Sequence, residues 1–179
     1  MEDEIEVKIR ISEAMLEGVE EKLHEIGFLP LSESTFEDNL LFDFPDRTLE
    51  NSGCALRLRN YGDNYTLTYK GPKKRDPLMK VRQEIETSVG SFDLTRSLLE
   101  SIGLEVNFEY AKWRQKYQGA WNNRSVEVCV DKTPVGVFVE IEGERESISQ
   151  IADLLGWDSS DFLTDNYVNL YREATKNGA

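Results

Sequence analysis

Glu4-Ile5-Glu6-Val7-Lys8-Ile9-Arg10-Ile11 alternates charged and apolar residues without a break. Successive side chains of a strand point to opposite faces. The run therefore predicts a β-strand with Ile5, Val7, Ile9 and Ile11 on one face and Glu4, Glu6, Lys8 and Arg10 on the other. The same division recurs down the chain. Leu56 and Leu58 oppose Arg57 and Arg59, and Leu67 and Tyr69 oppose Thr66, Thr68 and Lys70. Val81 and Ile85 oppose Lys80, Arg82, Glu84 and Glu86, and Trp113 and Tyr117 oppose Lys112, Arg114 and Lys116. Val126, Val128 and Val130 oppose Glu127 and Asp131, and Val137, Val139 and Ile141 oppose Glu140 and Glu142.

Around these runs the spacing predicts strands over 4–11, 36–43, 54–60, 65–71, 80–88, 105–117, 124–131 and 137–142. Helices are expected over 13–26, with Ser12 as N-cap, Gly27 at the end and a stripe of Leu16, Val19, Leu23 and Ile26. A second is expected over 92–102, opened by Ser91 and closed by Gly103, with Leu94, Leu98, Leu99 and Ile102 as its stripe. Two more are expected over 147–155, ending at Gly156, and near 161–175. The segment 72–78 reads as the most mobile loop. The chain reads as one domain over 1–179, of α+β class.

Two arrangements suit such strands. An antiparallel sheet could bury its apolar face and leave its charged face in water. Alternatively, the helices cover the apolar faces and the strands close into an eight-stranded antiparallel barrel with the charges inward. That interior is costly unless its charges pair or bind ions, and a polyanion together with a divalent metal would balance it. Glu4 and Glu6 with Glu140 and Glu142 offer oxygen ligands of the kind Mg²⁺ or Mn²⁺ takes. Arg57, Arg59, Lys70, Lys112 and Arg114 offer the donors that phosphate oxygens accept from. Phosphoryl transfer needs mainly positioning and charge neutralisation, so a chain whose single histidine, His24, reads as a surface residue can still perform it.

Composition narrows the classes. Of 179 residues 39% are hydrophobic and 31% charged, with a formal net charge of −13. That charge argues against nonspecific nucleic-acid or anionic-membrane binding. No apolar run reaches the roughly 18–20 residues of a membrane helix, and no leader pattern opens the sequence, so a cytoplasmic protein is expected. Cys54 and Cys129 read as buried free thiols without metal-ligand spacing. No phosphate-loop or dinucleotide fingerprint is present.

The opening Glu4-Ile5-Glu6-Val7-Lys8 resembles the ExExK start of the CYTH, or triphosphate tunnel metalloenzyme, superfamily. Further stretches continue in register. Phe42-Asp43-Phe44-Pro45, Gly53 and Leu56-Arg57-Leu58-Arg59 resemble FDxP…G…LRxR, and Leu67-Thr68-Tyr69-Lys70-Gly71-Pro72 resembles LTxKGP. Val81-Arg82-Gln83-Glu84-Ile85-Glu86, Lys112-Trp113-Arg114 with Tyr117, and Phe138-Val139-Glu140-Ile141-Glu142-Gly143 resemble its later strands. The resemblance is strongest to class IV adenylyl cyclase-like proteins, with thiamine triphosphatase as a relative. It implies Glu4, Glu6, Glu140 and Glu142 as metal ligands with Asp131 beside them, and Mg²⁺ or Mn²⁺ as cofactor. It also implies Lys8, Arg57, Arg59, Lys70, Lys112 and Arg114 as phosphate donors, with Arg82 and Glu84 lining the tunnel. Lys8, Lys70 and Glu84 are the catalytic candidates. Leu41 stands where many members have Tyr. The expected partner is a small-molecule triphosphate, and a homodimer is the expected assembly. The shared motifs leave three readings open: ATP cyclase, triphosphatase, or a non-catalytic polyphosphate sensor.

Overall fold

The computed structural model describes residues 3–176. In chain order these form β1 (Asp3–Ile11), a 3-10 turn (Glu13–Met15), α1 (Leu16–Glu25), β2 (Leu29–Pro30), β3 (Thr35–Asp43) and α2 (Thr48–Asn51). Then come β4 (Ala55–Tyr61), β5 (Asn64–Lys70), β6 (Lys80–Ser88), α3 (Phe92–Ser101), β7 (Glu105–Trp121) and β8 (Arg124–Thr133). The chain continues with β9 (Gly136–Glu142), α4 (Arg145–Leu155), β10 (Phe162–Leu163) and α5 (Tyr167–Lys176). Two compact units are present. The first holds 36–75 and 81–111; the second holds 4–35, 76–80 and the described chain from 112 onward.

In the first unit β3, β4, β5 and β6 run as an antiparallel meander, with Leu40 opposite Leu58, Leu58 opposite Leu67 and Tyr69 opposite Ile85. Leu40, Phe42, Leu58, Leu99 and Leu104 are buried together, with Leu56, Leu67, Phe92 and Val106 against them. Helix α3 begins as expected, the Ser91 hydroxyl oxygen accepting from Leu94 N at 3.3 Å, and Gly103 comes after it at φ 96°. Its stripe divides differently. Leu99 is buried, whereas Leu94, Leu98 and Ile102 are 73%, 60% and 64% exposed. At 100° per residue Leu94, Leu98 and Ile102 share one side of the helix, and Leu99 and Phe92 share another. The sheet covers the second side.

Asp43 ends β3 and shapes the turn into α2. Its Oδ1 accepts from Phe44 N (2.8 Å) and Leu49 N (2.9 Å), and its Oδ2 from Glu50 N (2.8 Å). One buried carboxylate thus collects the amides at the start of α2, a helix of four residues too short to show a period.

The second unit is built on the order β10-β1-β9-β8-β7, with β2 on the far side of β7. Its apolar face carries Val7, Ile9, Val128, Val130, Val139 and Ile141, all buried. Helix α4 lies against β8 and β9, and α1 against α4. They bring Ile148, Ile151 and Leu155 from α4 and Val19 and Leu23 from α1, also buried. Each fully buried side chain of this size stabilises the fold by roughly 1.5–3 kcal/mol. Gly119 makes room in β7: a Cβ there would stand 2.8 Å from the ring of buried Phe28.

The helix expected near 161–175 starts at Tyr167, after Asn166, whose Oδ1 accepts from Asn169 N at 2.8 Å. Phe162 and Leu163 instead pair with Ile9 and Lys8 of β1. Among the described residues no helix is long and apolar enough to cross a membrane.

The segment expected to be most mobile is tied down. Lys74 N donates to Val81 O at 2.8 Å. Asp76 accepts from Leu78 N (3.0 Å) and Met79 N (2.8 Å) and pairs with Arg145 at 2.5 Å. The Arg145 bond, and after it the two amides, pulls the Asp76 pKa down from 3.8 to about 2. A carboxyl with a depressed folded pKa stabilises above its unfolded value and loses that contribution as pH falls through the folded one. Asp76→Asn is therefore expected to lower the melting temperature at pH 6, with the gap to the parent protein narrowing between pH 3.8 and about 2. Equal gaps at pH 6 and pH 2 in thermal melts would refute this role.

Candidate active site

The centre of the charged face of the second unit's sheet is buried, while Arg10 and Glu142 at its margins are exposed. Lys8 and Lys112 are each 3% exposed, Arg114 5% and Asp131 0%. Strand register explains their meeting: Lys8 lies opposite Glu140, and Arg114 opposite Asp131. Arg114 grips Asp131 with two bonds, Nε to Oδ1 and Nη2 to Oδ2, each 2.6 Å, and its Nη2 also reaches Glu140. Lys112 Nζ lies 2.9 Å from Asp131 Oδ2. Lys8 Nζ lies 3.3 Å from Glu140 Oε1 and donates to Asp165 O at 3.1 Å.

Tyr167, the first residue of α5, completes this cluster. Its hydroxyl donates to Asp131 Oδ2 at 2.5 Å, and its ring centroid lies 3.8 Å from Lys8 Nζ and 4.4 Å from Lys112 Nζ. Burial, and then the charges of Asp131 and Glu140, push its pKa well up, so the hydroxyl stays a donor. Burial lowers the Lys8 pKa against the pull of Glu140. Burial works to raise Glu140, but Arg114, Lys112, Lys8 and Lys80 together hold its carboxyl well below the usual range. Asp131 spends its oxygens on Arg114, Lys112 and Tyr167, which orients those cations.

The carboxylates lie beside this cluster in one lateral row: Glu6 opposite Glu142, and Glu142 opposite Glu127. Like charges directly opposite on neighbouring strands repel. Lys80 pairs with Glu6, and Lys116 with Glu127 at 3.0 Å. Glu4 is half-buried on the same strand face and Glu142 is exposed. Among the described residues no group of three or more His, Cys, Asp or Glu is already drawn together as a metal cage. The donor chemistry nonetheless fits a hard divalent cation, since a row of carboxylate oxygens is what Mg²⁺ or Mn²⁺ takes and what a cation would relieve of its repulsion.

The first unit carries a second polar face. Arg57 is buried, its Nη2 donating to Thr68 Oγ1 at 3.4 Å and lying 3.7 Å from Glu86. Thr68 in turn donates to Glu86 Oε2 at 2.6 Å. Arg59 Nε stands 3.6 Å from Glu37, and Lys70 pairs with Glu84. Arg82 donates from Nε to Gly71 O (2.9 Å) and from Nη2 to Lys70 O (2.9 Å) and Gly53 O (3.4 Å), tying the backbone just before β4 to the end of β5.

Several site residues escaped the motifs. Tyr167 and Asp165 lie in a stretch without strand alternation, and Lys80 opens a strand whose motif begins one residue later. Cys129 is a buried thiol, as its sequence context implies. It sits on the charged face, its Sγ 3.3 Å from Glu127 Oε1, and burial raises its pKa so that it remains a thiol. Cys54 is only half-buried and receives the Tyr69 hydroxyl at 3.2 Å. Both thiols are free.

A model of the CYTH domain family matches residues 2–159, and the chain belongs to that family. A protein of Methanocaldococcus jannaschii, named "Putative adenylate cyclase", is 30% identical over 149 residues, covering 83% of this chain and 79% of that protein. A solved structure described as a "putative adenylate cyclase" from Vibrio parahaemolyticus matches with a TM-score of 0.82 at 21% identity, over 96% of this chain and 98% of that one. A Hippeastrum structure, whose description assigns it a dominant triphosphatase activity, matches with a TM-score of 0.72 at 17% identity, over 97% and 96%. Likenesses of this extent show the fold: it is the α+β, antiparallel CYTH fold that the sequence motifs led us to expect.

Proposed function

We propose that this CYTH protein is a divalent-metal-dependent enzyme acting on a small-molecule triphosphate. The first reading is a class IV adenylyl cyclase-like reaction, ATP to cyclic AMP and pyrophosphate. One observation carries the metal–triphosphate reading: Lys8, Lys112 and Arg114 are buried beside Glu6, Glu140 and Asp131, an arrangement costly to desolvate unless its charges pair or bind ions, and suited to a metal-bound polyanion.

In the cyclase reaction the ribose 3′-oxygen bonds to the α-phosphorus while the bond to the bridging oxygen of the β-phosphate breaks. Pyrophosphate leaves with that electron pair, and the 3′-hydroxyl gives up its proton. Lys8, Lys112 and Arg114 in the second unit, and Arg57, Arg59 and Lys70 in the first, would bind phosphate oxygens. Asp131 and Tyr167 hold the first three in place, and Arg82 holds the backbone around Lys70. Lys8, with its lowered pKa, and the Lys70–Glu84 pair are the candidates for moving the proton. Glu4, Glu6, Glu140 and Glu142 would hold Mg²⁺ or Mn²⁺, which neutralises phosphate charge when bound.

The alternative is a triphosphatase, with water attacking the terminal phosphorus of thiamine triphosphate, a nucleoside triphosphate or inorganic triphosphate. The description of the Hippeastrum neighbour favours keeping it. A non-catalytic sensor is the third reading, and the paired carboxylates weigh against it. In each reading the protein works in the cytoplasm as a homodimer, without nucleic-acid or membrane partners. The test is to supply ATP, thiamine triphosphate and inorganic triphosphate with Mg²⁺ or Mn²⁺ and to separate the products. Cyclic AMP with pyrophosphate supports the cyclase, and orthophosphate supports the triphosphatase. Binding without turnover of any of the three would overturn the enzyme reading.

A further inference from the structure

Within the first unit, β3 contributes two residues that the phosphate-binding reading does not use. Glu37 and Asn39 are both 0% exposed, although neither is apolar. Asn39 lies directly opposite Arg59, and Leu41 opposite Arg57, so Glu37 and Asn39 share a face with the two arginines. Asn39 Nδ2 donates to Glu37 Oε1 at 2.9 Å. Asn39 Oδ1, Arg57 Nε and, opposite Arg59 on β5, Thr66 Oγ1 are buried with no hydrogen-bond partner, whereas Arg59 Nε faces the Glu37 carboxylate at 3.6 Å. Buried polar atoms without partners are rare and each calls for an explanation. Three on one face point to a ligand.

The orphan atoms also say what kind of ligand. Arg57 Nε–H donates, so it needs an acceptor, and a phosphate oxygen suits it. Asn39 Oδ1 can only accept. Its amide cannot turn over to present Nδ2 instead, because that would set Oδ1 against the Glu37 carboxylate. Glu37 thereby fixes the orientation of Asn39 and leaves the oxygen outermost. A phosphate oxygen placed there would meet an amide oxygen with a carboxylate behind it, and would be repelled. Only an O–H or N–H group satisfies this position.

We propose that Asn39, oriented by Glu37, reads a hydroxyl or amino group on the organic part of the triphosphate. This inference rests on the triphosphate reading and narrows it. The substrate is an organic triphosphate ester such as a nucleoside triphosphate, and inorganic triphosphate lacks the group this position requires. Asn39 is a specificity residue, and Glu37 is a positioning residue that acts through it.

The test compares binding of ATP with binding of inorganic triphosphate, both with Mg²⁺, by displacement of a fluorescent triphosphate. The parent protein is expected to prefer ATP by about five- to tenfold, the span of one net hydrogen bond. In Asn39→Ala that preference should fall to about twofold or less while the affinity for inorganic triphosphate holds, again within the value of one such bond. Glu37→Gln should also erode the preference, because a neutral amide no longer dictates which way Asn39 faces. Should Asn39→Ala fail to fold, the parent protein still decides. Methyl triphosphate, which has no donor on its organic part, should then bind no better than inorganic triphosphate. Parallel losses for both ligands in Asn39→Ala would make the pair structural; because Glu37 also faces Arg59, only the ratio of the two affinities is read in Glu37→Gln. An unchanged preference, or methyl triphosphate binding as well as ATP, would mean that a trapped water satisfies Asn39. Either result overturns this inference while leaving the triphosphate reading standing. Failure of the parent protein to bind any triphosphate overturns both.

Discussion

Asp131→Ala should destabilise the protein by about 3–5 kcal/mol, the usual cost of removing one partner from a buried ion pair. Asp131 is fully buried and receives Lys112, two bonds from Arg114, and the Tyr167 hydroxyl. Its loss strands two buried cations and a buried hydroxyl together. A domain's whole stability is about 5–15 kcal/mol, so the variant should sit near the edge of folding. For a chain of this length the melting temperature should drop by about 6–20 °C. Urea unfolding measures the same quantity. A loss under about 1 kcal/mol would show that Lys112 and Arg114 reach water or other acceptors easily, and that the cluster is not closed to solvent.

The second large effect comes from ligand. Lys8, Lys80 and Lys112 crowd one another as cations, and Glu6 and Glu142 stand opposite one another as anions. A metal–triphosphate complex relieves both repulsions. A ligand that binds only the native state stabilises it by about 2.7 kcal/mol at a hundred times its dissociation constant. Mg²⁺ with inorganic triphosphate at about 0.15 M salt should therefore raise the melting temperature by about 5–11 °C, and by more than either alone. No joint stabilisation would reject the metal–polyanion reading. Salt at this level screens only exposed charges strongly, so a true buried site should keep most of its effect.

Much of this was legible in the sequence because strand alternation has a period of two and leaves little choice of partner. Once Val7 and Ile9 face the core, Glu6 and Lys8 must share the other face, and the structure has them there. Asp131, Lys112 and Arg114 were legible for the same reason. Helix α3 was less so, because Leu94, Leu98, Leu99 and Ile102 fit two different faces and only the sheet chooses between them. The two-residue strands β2 and β10 and the short α2 have no period to read. Tyr167 carries no local mark of its role: its partners Lys8, Lys112 and Asp131 come from three strands distant in sequence. Glu37 and Asn39 read as ordinary polar positions of a strand until their burial is known.

The bond from Lys8 to Asp165 joins residues 157 positions apart. At a translation rate of about 5–20 residues per second, the ribosome needs roughly eight to thirty seconds to make the second after the first. For most of that interval β1 waits for β9, complete only at residue 142, and for β10, complete only at residue 163. The strand that opens the charged face is thus an early-made piece that must wait for late-made neighbours, and closing so long a loop carries an entropic cost. The row of charges on β1 then has a use before any substrate arrives: an unpaired strand edge bearing Glu4, Glu6, Lys8 and Arg10 is a poor template for aggregation while the rest of the chain is still being made.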